Sequence, residues 1–492
     1  MTAALPVLIL LTSLVPALFT FFLRQDQHRL RNTLNLSGAV LKLGLIAFML
    51  SEVAQGTLHE VRLDLAPGLY LLLRVDALSL LFLTLSAFLW LLTTIYAIAY
   101  FGRKPDLSRF FGFFSLCVFA TTGIALSGTL ITFFIFFELL TLSTWPLVVH
   151  KGDDKSLKAG TSYLAYSLPA SAALLVAIVW LEGSTGPVAF AEPADLGALS
   201  DHSLRMIFVL FIVGLGAKSA LLPLHGWLPS AMAAPAPVSA LLHAVAVVKA
   251  GAFGIVRVVH DVFGISLVQE LGMGLLLAML ASATIIYGSA RALAQTDIKR
   301  RLAFSTVSQV SYVILGIALG GPIAAIGGLA HLVHQGLMKI TLFFCAGIFT
   351  ERAGIVEIRH LDGIGQRMPW TATAFSLAAL GMIGMPPLAG FVSKWYLGLG
   401  GLQVGAPWVV AVLICSALLN AAYFLPLLYR IWYGKPREDA PALTADGPLE
   451  RPLGLIAPPV ITALACLAAG LLAASALSPL GWATRIVEGY YP

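Results

Sequence analysis

Charge is scarce in this chain of 492 residues: Asp, Glu, Lys and Arg together make up 11% of it, against roughly 25% in soluble domains. That scarcity excludes a soluble globular protein, and 59% hydrophobic residues leave an integral membrane protein. Acids are rarer still inside the apolar stretches. Of the 24 Asp and Glu, Glu138 alone sits deep in one, while Glu52, Asp76 and Glu270 lie near run ends, within reach of the interface. A cation pore is more often ringed with acids, so the pattern speaks against a simple cation channel. Four cysteines, Cys117, Cys345, Cys415 and Cys466, all fall in apolar runs without CxxC or Cys/His ligand spacing. They read as small core residues rather than a disulfide framework or a zinc site.

Motifs for cofactor chemistry are missing as well. There is no P-loop, no GxGxxG after a strand, no Ser-His-Asp order and no haem motif. No cofactor or bound metal is therefore expected, no enzymatic centre is indicated, and any energy must come from an ion gradient or a partner protein. The net charge of +6 is spread over short loops rather than gathered in a patch, which argues against nucleic acid as a partner. No basic residue precedes the first apolar run, and Arg24, Arg29 and Arg31 follow it. This is the reverse of a cleavable signal peptide, so the run is expected to remain as a membrane helix.

What the chain does have is apolar runs of the length, roughly 20 residues, that spans a bilayer. Fourteen are expected, near 2–23, 34–54, 75–101, 109–127, 129–149, 157–182, 203–222, 236–260, 266–291, 301–320, 322–350, 370–402, 406–432 and 453–477. The loops after the odd-numbered runs carry twenty Lys and Arg, and the opposite side carries five: Arg62, Arg74, Arg205, Arg257 and Arg485. Short cytoplasmic loops are enriched in basic residues. The sequence thus predicts a multi-pass protein of the cell (inner) membrane with both termini on the outer, periplasmic or extracellular side.

Five basic residues remain inside apolar runs: Lys42, Lys218, Lys249, Lys339 and Lys394. Lys42 lies about a turn inside the second run and is assigned to snorkelling toward the interface. The layout around the others repeats. The seventh run carries Lys218 and a break at Pro223; five runs later, the twelfth carries a break at Pro386 and Pro387, then Lys394. A repeat of five crossings enters the membrane in the opposite direction, and inverted repeats with broken helices near the midplane are the usual build of ion-coupled transporters. The predicted fold class is an all-α polytopic membrane protein of about 14 helices, with inverted repeats of runs 4–8 and 9–13 and breaks in runs 7 and 12. The organisation is then 1–108 for three N-terminal helices, 109–260 and 261–433 for the repeats, and 434–492 for a loop and the last helix.

Candidate chemistry follows the buried charges. A lone carboxylate such as Glu138 costs about 2.5–3.5 kcal/mol at a helix centre on insertion scales, so it needs a partner, and Lys218 is the natural one. Opposite charges 4 Å apart attract by about 4 kcal/mol at an effective dielectric of 20, enough for making or breaking the pair to switch Lys218 between holding and releasing a proton. A static ion pair that fixes packing is the alternative. Pro223 leaves the carbonyl of Ser219 without its helical donor, and the second break does the same for Met382 and Ile383. The eleventh run carries His331, His334 and Lys339, with the two histidines on one face and Lys339 returning near it. Histidine both accepts and donates near neutral pH, so it suits a relay between lysines; metal binding by the pair finds no converging acids or thiolates. His243 and Lys249, six residues apart, share the eighth run but not a face. Ser305, Thr306, Ser308, Gln309, Ser311 and Tyr312 line the tenth run and serve either water or helix packing. His225, in the first break, reads as a structural hydrogen-bonding residue.

The stretches LPLHGWLP and APAPVSALLHA, TDIKRRLAFSTVSQ at 296–309, HLVHQGLMK and GMPPLAGFVSKW resemble the antiporter-like membrane subunits shared by respiratory complex I, membrane-bound hydrogenases and Mrp-type multisubunit Na+/H+ antiporters. The resemblance is clearest from run 4 to run 13. A lysine at 394, the HxxH before Lys339 and a length near 490 residues are most similar to the Mrp D subunit. This implies fourteen helices with two inverted five-helix units and partners in a hetero-oligomeric membrane complex. It also implies proton transfer along Glu138, Lys218, Lys249, His331, His334, Lys339 and Lys394, exchanged for a monovalent cation such as Na+. A proton-pumping subunit of complex I or of a hydrogenase is the alternative, and a scaffold without an ion path the plainest one. Many relatives carry an acid and then a histidine after LPLHGWLP, where this chain has Ser230 and Met232.

Overall fold

A computed structural model of the chain describes residues 4–55, 57–66, 69–190, 195–435 and 448–491. The very start of the first expected run and most of the 434–452 loop lie outside the described residues. In chain order the first elements are α1 (Leu5–Phe22), α2 (His28–Ala54), β1 (His59–Ala66), β2 (Leu69–Val75), α3 (Ala77–Phe101), α4 (Leu107–Leu126), α5 (Leu130–Val148), α6 (Asp154–Thr185) and α7 (Asp201–Lys218). A short α8 (Trp227–Ser230) follows. The next crossing combines α9 (Ala236–Ala240), a π-helical turn at Leu241–Val245, α10 (Val247–Arg257) and a second π-helical turn at Val258–Val262. Then come α11 (Ile265–Glu270), α12 (Met273–Leu293), α13 (Ile298–Ala318), α14 (Pro322–Ala353), α15 (Ile364–Arg367), α16 (Pro369–Ile383), α17 (Ala389–Gln403), α18 (Trp408–Tyr433), α19 (Leu453–Leu471) and α20 (Pro479–Tyr490).

Among the described residues, twelve helical spans are long and apolar enough to cross a membrane. The other two expected crossings are the interrupted ones. The seventh run stops at Lys218 and resumes as α8, and the twelfth divides into α16 and α17. Local signals set several ends. Asp153 and Asp297 cap α6 and α13 by accepting from the amides of Ser156 and Arg300, at 2.7 and 2.8 Å, each satisfying a donor the helix leaves open. Gly384, at φ 100°, closes α16 in the left-handed region that glycine enters without steric cost.

Three expectations need correction. Residues 59–75 form an antiparallel hairpin of β1 and β2, where none was predicted. Its β2 edge joins the start of α5 through Gly128 N–H to Leu72 O at 2.8 Å and Leu72 N–H to Thr132 Oγ1 at 2.9 Å. The last run ends at Leu471 rather than 477, and α20 follows, capped by Ser478, which accepts from Gly481 N–H at 2.9 Å. Arg31, Arg257 and Arg301, counted with loops, lie inside α2, α10 and α13 and are buried.

Two compact units make up the chain. One comprises Met1–Leu91, Arg103–Trp227 and Val245–Leu277; the other comprises Leu92–Gly102, Leu228–Ala244 and Ala278–Pro492. In the first, α10 lies against α7 with no room to spare: a Cβ at Gly251 would stand 2.5 Å from Ser219 Oγ and 2.7 Å from the Leu215 carbonyl oxygen. In the second, α14 is the central helix, buried at every residue from Gly327 to Phe349. There a Cβ at Gly327 would stand 2.8 Å from the amide nitrogen of Leu397 on α17.

Candidate functional site

In the first unit, Glu138 and Lys218 arrive from α5 and α7. Lys218 is the last residue of α7 and is 1% exposed. Its ammonium donates to the main-chain carbonyl of Phe137 and stands 3.3 Å from the centroid of that ring. Glu138, the next residue, is half-buried, and its carboxylate accepts from the hydroxyl of Ser171 on α6. Among the described residues no ion pair joins Lys218 to Glu138. The expected direct pair is replaced by two local arrangements one residue apart: Lys218 is bound to the α5 main chain while Glu138 turns to Ser171 on α6.

The end of α7 is held from inside. Leu215 accepts from Ser219 N–H at 3.0 Å, Gly216 from Leu221 N–H at 2.9 Å, and Ala217 from Trp227 Nε1 at 2.7 Å. Ala220 takes a left-handed φ of 57° to make this turn. Lys218 therefore sits at the C-terminal end of α7, the end of a helix dipole that favours a cation. Pro223 is exposed and His225 half-buried in the same turn. Lys249, on α10, is fully buried, two residues before Gly251.

In the second unit, Lys394 reaches from α17 back to the C-terminal end of α16. It donates to the carbonyls of Met382 at 2.7 Å and Ile383 at 2.9 Å, the two acceptors expected to be freed by Pro386 and Pro387. Asn420 Nδ2 also donates to Met382, at 3.2 Å. His331 contacts Ser393 Oγ at 2.7 Å through Nδ1 and Gln309 Oε1 at 3.1 Å through Nε2. The ring of Tyr312 lies between the two groups, 5.1 Å from the His331 ring and 5.4 Å from the Lys394 ammonium. Lys339 donates to Ser305 Oγ and, at 3.1 Å, to the Leu302 carbonyl. His334 is buried on the same helix. His243, in the first π-helical turn, stacks on Phe343 with centroids 4.4 Å apart, and neither ring nitrogen has a hydrogen-bond partner among the described residues.

Comparison with known proteins bears on this arrangement directly. The family model described as "NADH:quinone oxidoreductase/Mrp antiporter, TM" matches residues 127–420, and one described as "NADH-Ubiquinone oxidoreductase (complex I), chain 5 N-terminus" matches 68–111. The chain belongs to this family. It is 36% identical to NADH-quinone oxidoreductase subunit N of Desulforudis audaxviator, over 81% of each chain. It is also 31% identical to the A/B subunit of a probable K(+)/H(+) antiporter from Rhizobium meliloti, over 87% of this chain but 43% of that protein. Component B of hydrogenase-4 from Escherichia coli is 30% identical over 83% of this chain and 63% of its own length, so the chain spans only part of these last two relatives. In fold, the chain is similar to a subunit of the Mrp complex from Dietzia sp. DQ12-45-1b, with a TM-score of 0.88, 24% identity and 100% and 99% of the two chains covered. Respiratory complex I from Thermus thermophilus contains a similar chain, with a TM-score of 0.75, 23% identity and 97% and 98% covered.

This antiporter-family subunit holds more polar residues in its interior than the sequence reading singled out. Ser171 and Ser393 touch the candidate groups Glu138 and His331, and Asn420 shares the Met382 carbonyl with Lys394; short polar side chains in apolar runs gave no spacing signal to find them. Arg257 is 1% exposed and pairs with Asp76 at 2.7 Å and Asp261 at 2.8 Å, with Ser79 Oγ accepting at 2.9 Å. Asp76 lies in the link before α3; burial pushes its carboxyl up, but Arg257 and the Ser79 amide outweigh this and hold it below the usual carboxylate range. Lys42, assigned to snorkelling, is instead fully buried and donates to Ser13 Oγ at 3.0 Å and Thr122 Oγ1 at 2.6 Å.

Proposed function

We propose that this chain is the proton-translocating membrane subunit of a multisubunit cation/proton antiporter of the Mrp type, most similar to its D subunit. The observation that carries the reading is that Lys218 and Lys394 each lie at one of the two chain interruptions with the ammonium bound to main-chain carbonyls, Phe137 for Lys218 and Met382 and Ile383 for Lys394. A proton enters one unit as Lys218 leaves the Phe137 carbonyl and meets Glu138, which releases Ser171. It passes on through Lys249. In the other unit, Lys339, His334 and His331 carry it toward Lys394, with His243 as an accessory buried acceptor and His225 and Pro223 shaping the first break. Lys394 releases it by exchanging its ammonium proton while the Met382 and Ile383 carbonyls hold the side chain in place. The exchanged monovalent cation is Na+, both termini face the outer side of the cell membrane, and partner membrane subunits complete the assembly.

Na+/H+ exchange by the assembled complex in membrane vesicles tests this. Lys218→Ala and Glu138→Ala each abolish exchange while leaving assembly intact; exchange that continues at the parental rate overturns the reading. The 36% identity to a quinone oxidoreductase subunit over 81% of both chains supports a second reading, a proton-pumping subunit of a redox complex. Iron-sulfur, flavin or nickel subunits co-purifying with the chain would decide for that assembly.

A further inference from the structure

Three helices of the first unit present polar residues at the same interval of seven. On α2, Asn35 and Lys42 are seven apart, with Arg31 one turn before them; on α4, Ser108, Ser115 and Thr122; on α1, Ser13 and Thr20. Seven residues return to the same helical face after two turns, about 10.5 Å along the axis. The three faces meet in a seam of stacked layers. In the first, Arg31 donates to Ser108 Oγ at 3.3 Å and lies 2.6 Å from Nδ1 of half-buried His28. In the second, Asn35 donates to Thr20 Oγ1 at 3.3 Å and accepts from Ser115 Oγ at 2.6 Å. In the third, Lys42 donates to Ser13 and Thr122. Past Lys42 the same face of α2 continues with Ile46 and Met49, both buried and apolar, so the polar seam runs from half-buried His28 to the lysine and stops there.

The surroundings of Lys42 suit either protonation state. The hydroxyls of Thr122 and Ser13 are already donated to the carbonyls of Val118, at 2.7 Å, and Leu10, at 3.2 Å, so both oxygens offer only lone pairs. A neutral amine has two N–H groups, enough to keep both bonds. The third position of the nitrogen is left to the Trp90 ring on α3, whose centroid is 4.9 Å away, and a ring face accepts an ammonium. No carboxylate pairs with Lys42 among the described residues. Hydroxyls and amides alone suffice to glue helices, whereas a buried amine is costly at membrane depth and serves packing no better than an apolar side chain.

We propose that this seam is a one-sided proton entry through α1, α2 and α4, ending at Lys42 as a proton-binding site separate from Glu138 and Lys218. Transfer between its layers runs over water held by Arg31, Asn35 and the facing hydroxyls. The inference rests on the chain's being a proton-translocating subunit, and the test separates the two. In the assembled complex, exchange is measured from about pH 6 to about pH 9 for Lys42→Met, Lys42→Arg, Asn35→Leu and, in parallel, Lys218→Ala. Arginine keeps the charge but does not release its proton. The expected result is a loss of about tenfold in all three seam variants with normal assembly, and an altered pH profile for the two Lys42 variants, which a packing defect alone would not produce. A parental rate and profile for Lys42→Met overturns the proposal; should that variant fail to assemble, a parental rate for Asn35→Leu does so. If Lys218→Ala abolishes exchange while the seam variants do not, only this inference falls; if Lys218→Ala is also silent, the function itself falls.

Discussion

Lys218 and Glu138 miss each other by one residue: the ammonium is bound to the carbonyl of Phe137, and the carboxylate beside it is bound to Ser171. Each group has a local resting partner, and each keeps further capacity, two ammonium donors on Lys218 and the second carboxylate oxygen on Glu138, with which to form the ion pair. A proton switch of the proposed kind would alternate between this arrangement and the direct pair. A permanent ion pair would offer a single state.

Ser171 should therefore act through Glu138. A hydrogen bond to a charged group contributes about 1.5–3 kcal/mol, so Ser171→Ala is expected to change the exchange rate by about tenfold. In a Glu138→Gln background the same substitution should add nothing. The measurement is a double-mutant cycle on exchange in vesicles, and additive losses would show that Ser171 acts independently.

At the second break, Lys394 is as much a cap as a carrier. Lys394→Ala removes the donor that Lys394 gives to the carbonyls of Met382 and Ile383 at 2.7 and 2.9 Å; Asn420 still serves Met382 at 3.2 Å, so Ile383 is the acceptor left open, and an open acceptor costs about 1–3 kcal/mol when buried. The substitution should lower the thermal stability of the detergent-solubilised complex as well as its exchange. Lys394→Arg should recover much of the stability without recovering exchange, because its guanidinium donates but does not release a proton. Equal recovery of both would mean that the amine has no carrier role.

The two breaks, the crossing count and the lysines inside the apolar runs were legible in the sequence because each leaves a mark that tolerates boundary errors: a proline, a run length, a lysine among leucines. The Met382 and Ile383 acceptors were legible for the same reason, since proline chemistry names the residue it deprives. What was not legible depends on which faces meet. Lys42 read as a snorkelling residue from its depth alone, and only the convergence of Ser13 and Thr122 from two other helices shows that it stays inside. Arg257 read as a loop charge because its partners, Asp76 and Asp261, stand far from and near to it in sequence without a shared pattern. The hairpin at 59–75 was hidden because most of β1 is exposed, and without one buried face an alternating pattern has little to report.

Close packing at the first break gives a steric prediction. With a Cβ, Gly251 would stand 2.5 Å from Ser219 Oγ and 2.6 Å from the Ser219 amide nitrogen, and backbone cannot give way as a flexible side chain does. Gly251→Ala should cost about 1–3 kcal/mol of stability and push α10 away from the end of α7, carrying Lys249 with it. Exchange should fall further than stability alone explains. A Gly251→Ala complex with parental melting temperature and rate would show that this approach is not fixed.

The Asp76–Arg257 pair predicts the acid limit of the first unit. Because the folded carboxyl of Asp76 is held below its ordinary range, mainly by Arg257 acting against the burial that pushes it up, ionised Asp76 stabilises the fold at neutral pH. The contribution is fully present above the unfolded carboxyl's pKa, about 3.9, and is lost as pH falls from there through the lower folded value. Asp76→Asn should destabilise the complex at pH 7, since it leaves Arg257 with Asp261 as its remaining paired acid, and should flatten the dependence in this acid window. Thermal melts of the parent and Asp76→Asn from neutral pH down to about pH 3 measure this. The two curves should draw together as pH falls below the unfolded carboxyl's range. Parallel curves over the whole range would show that the pair makes no net contribution to folding.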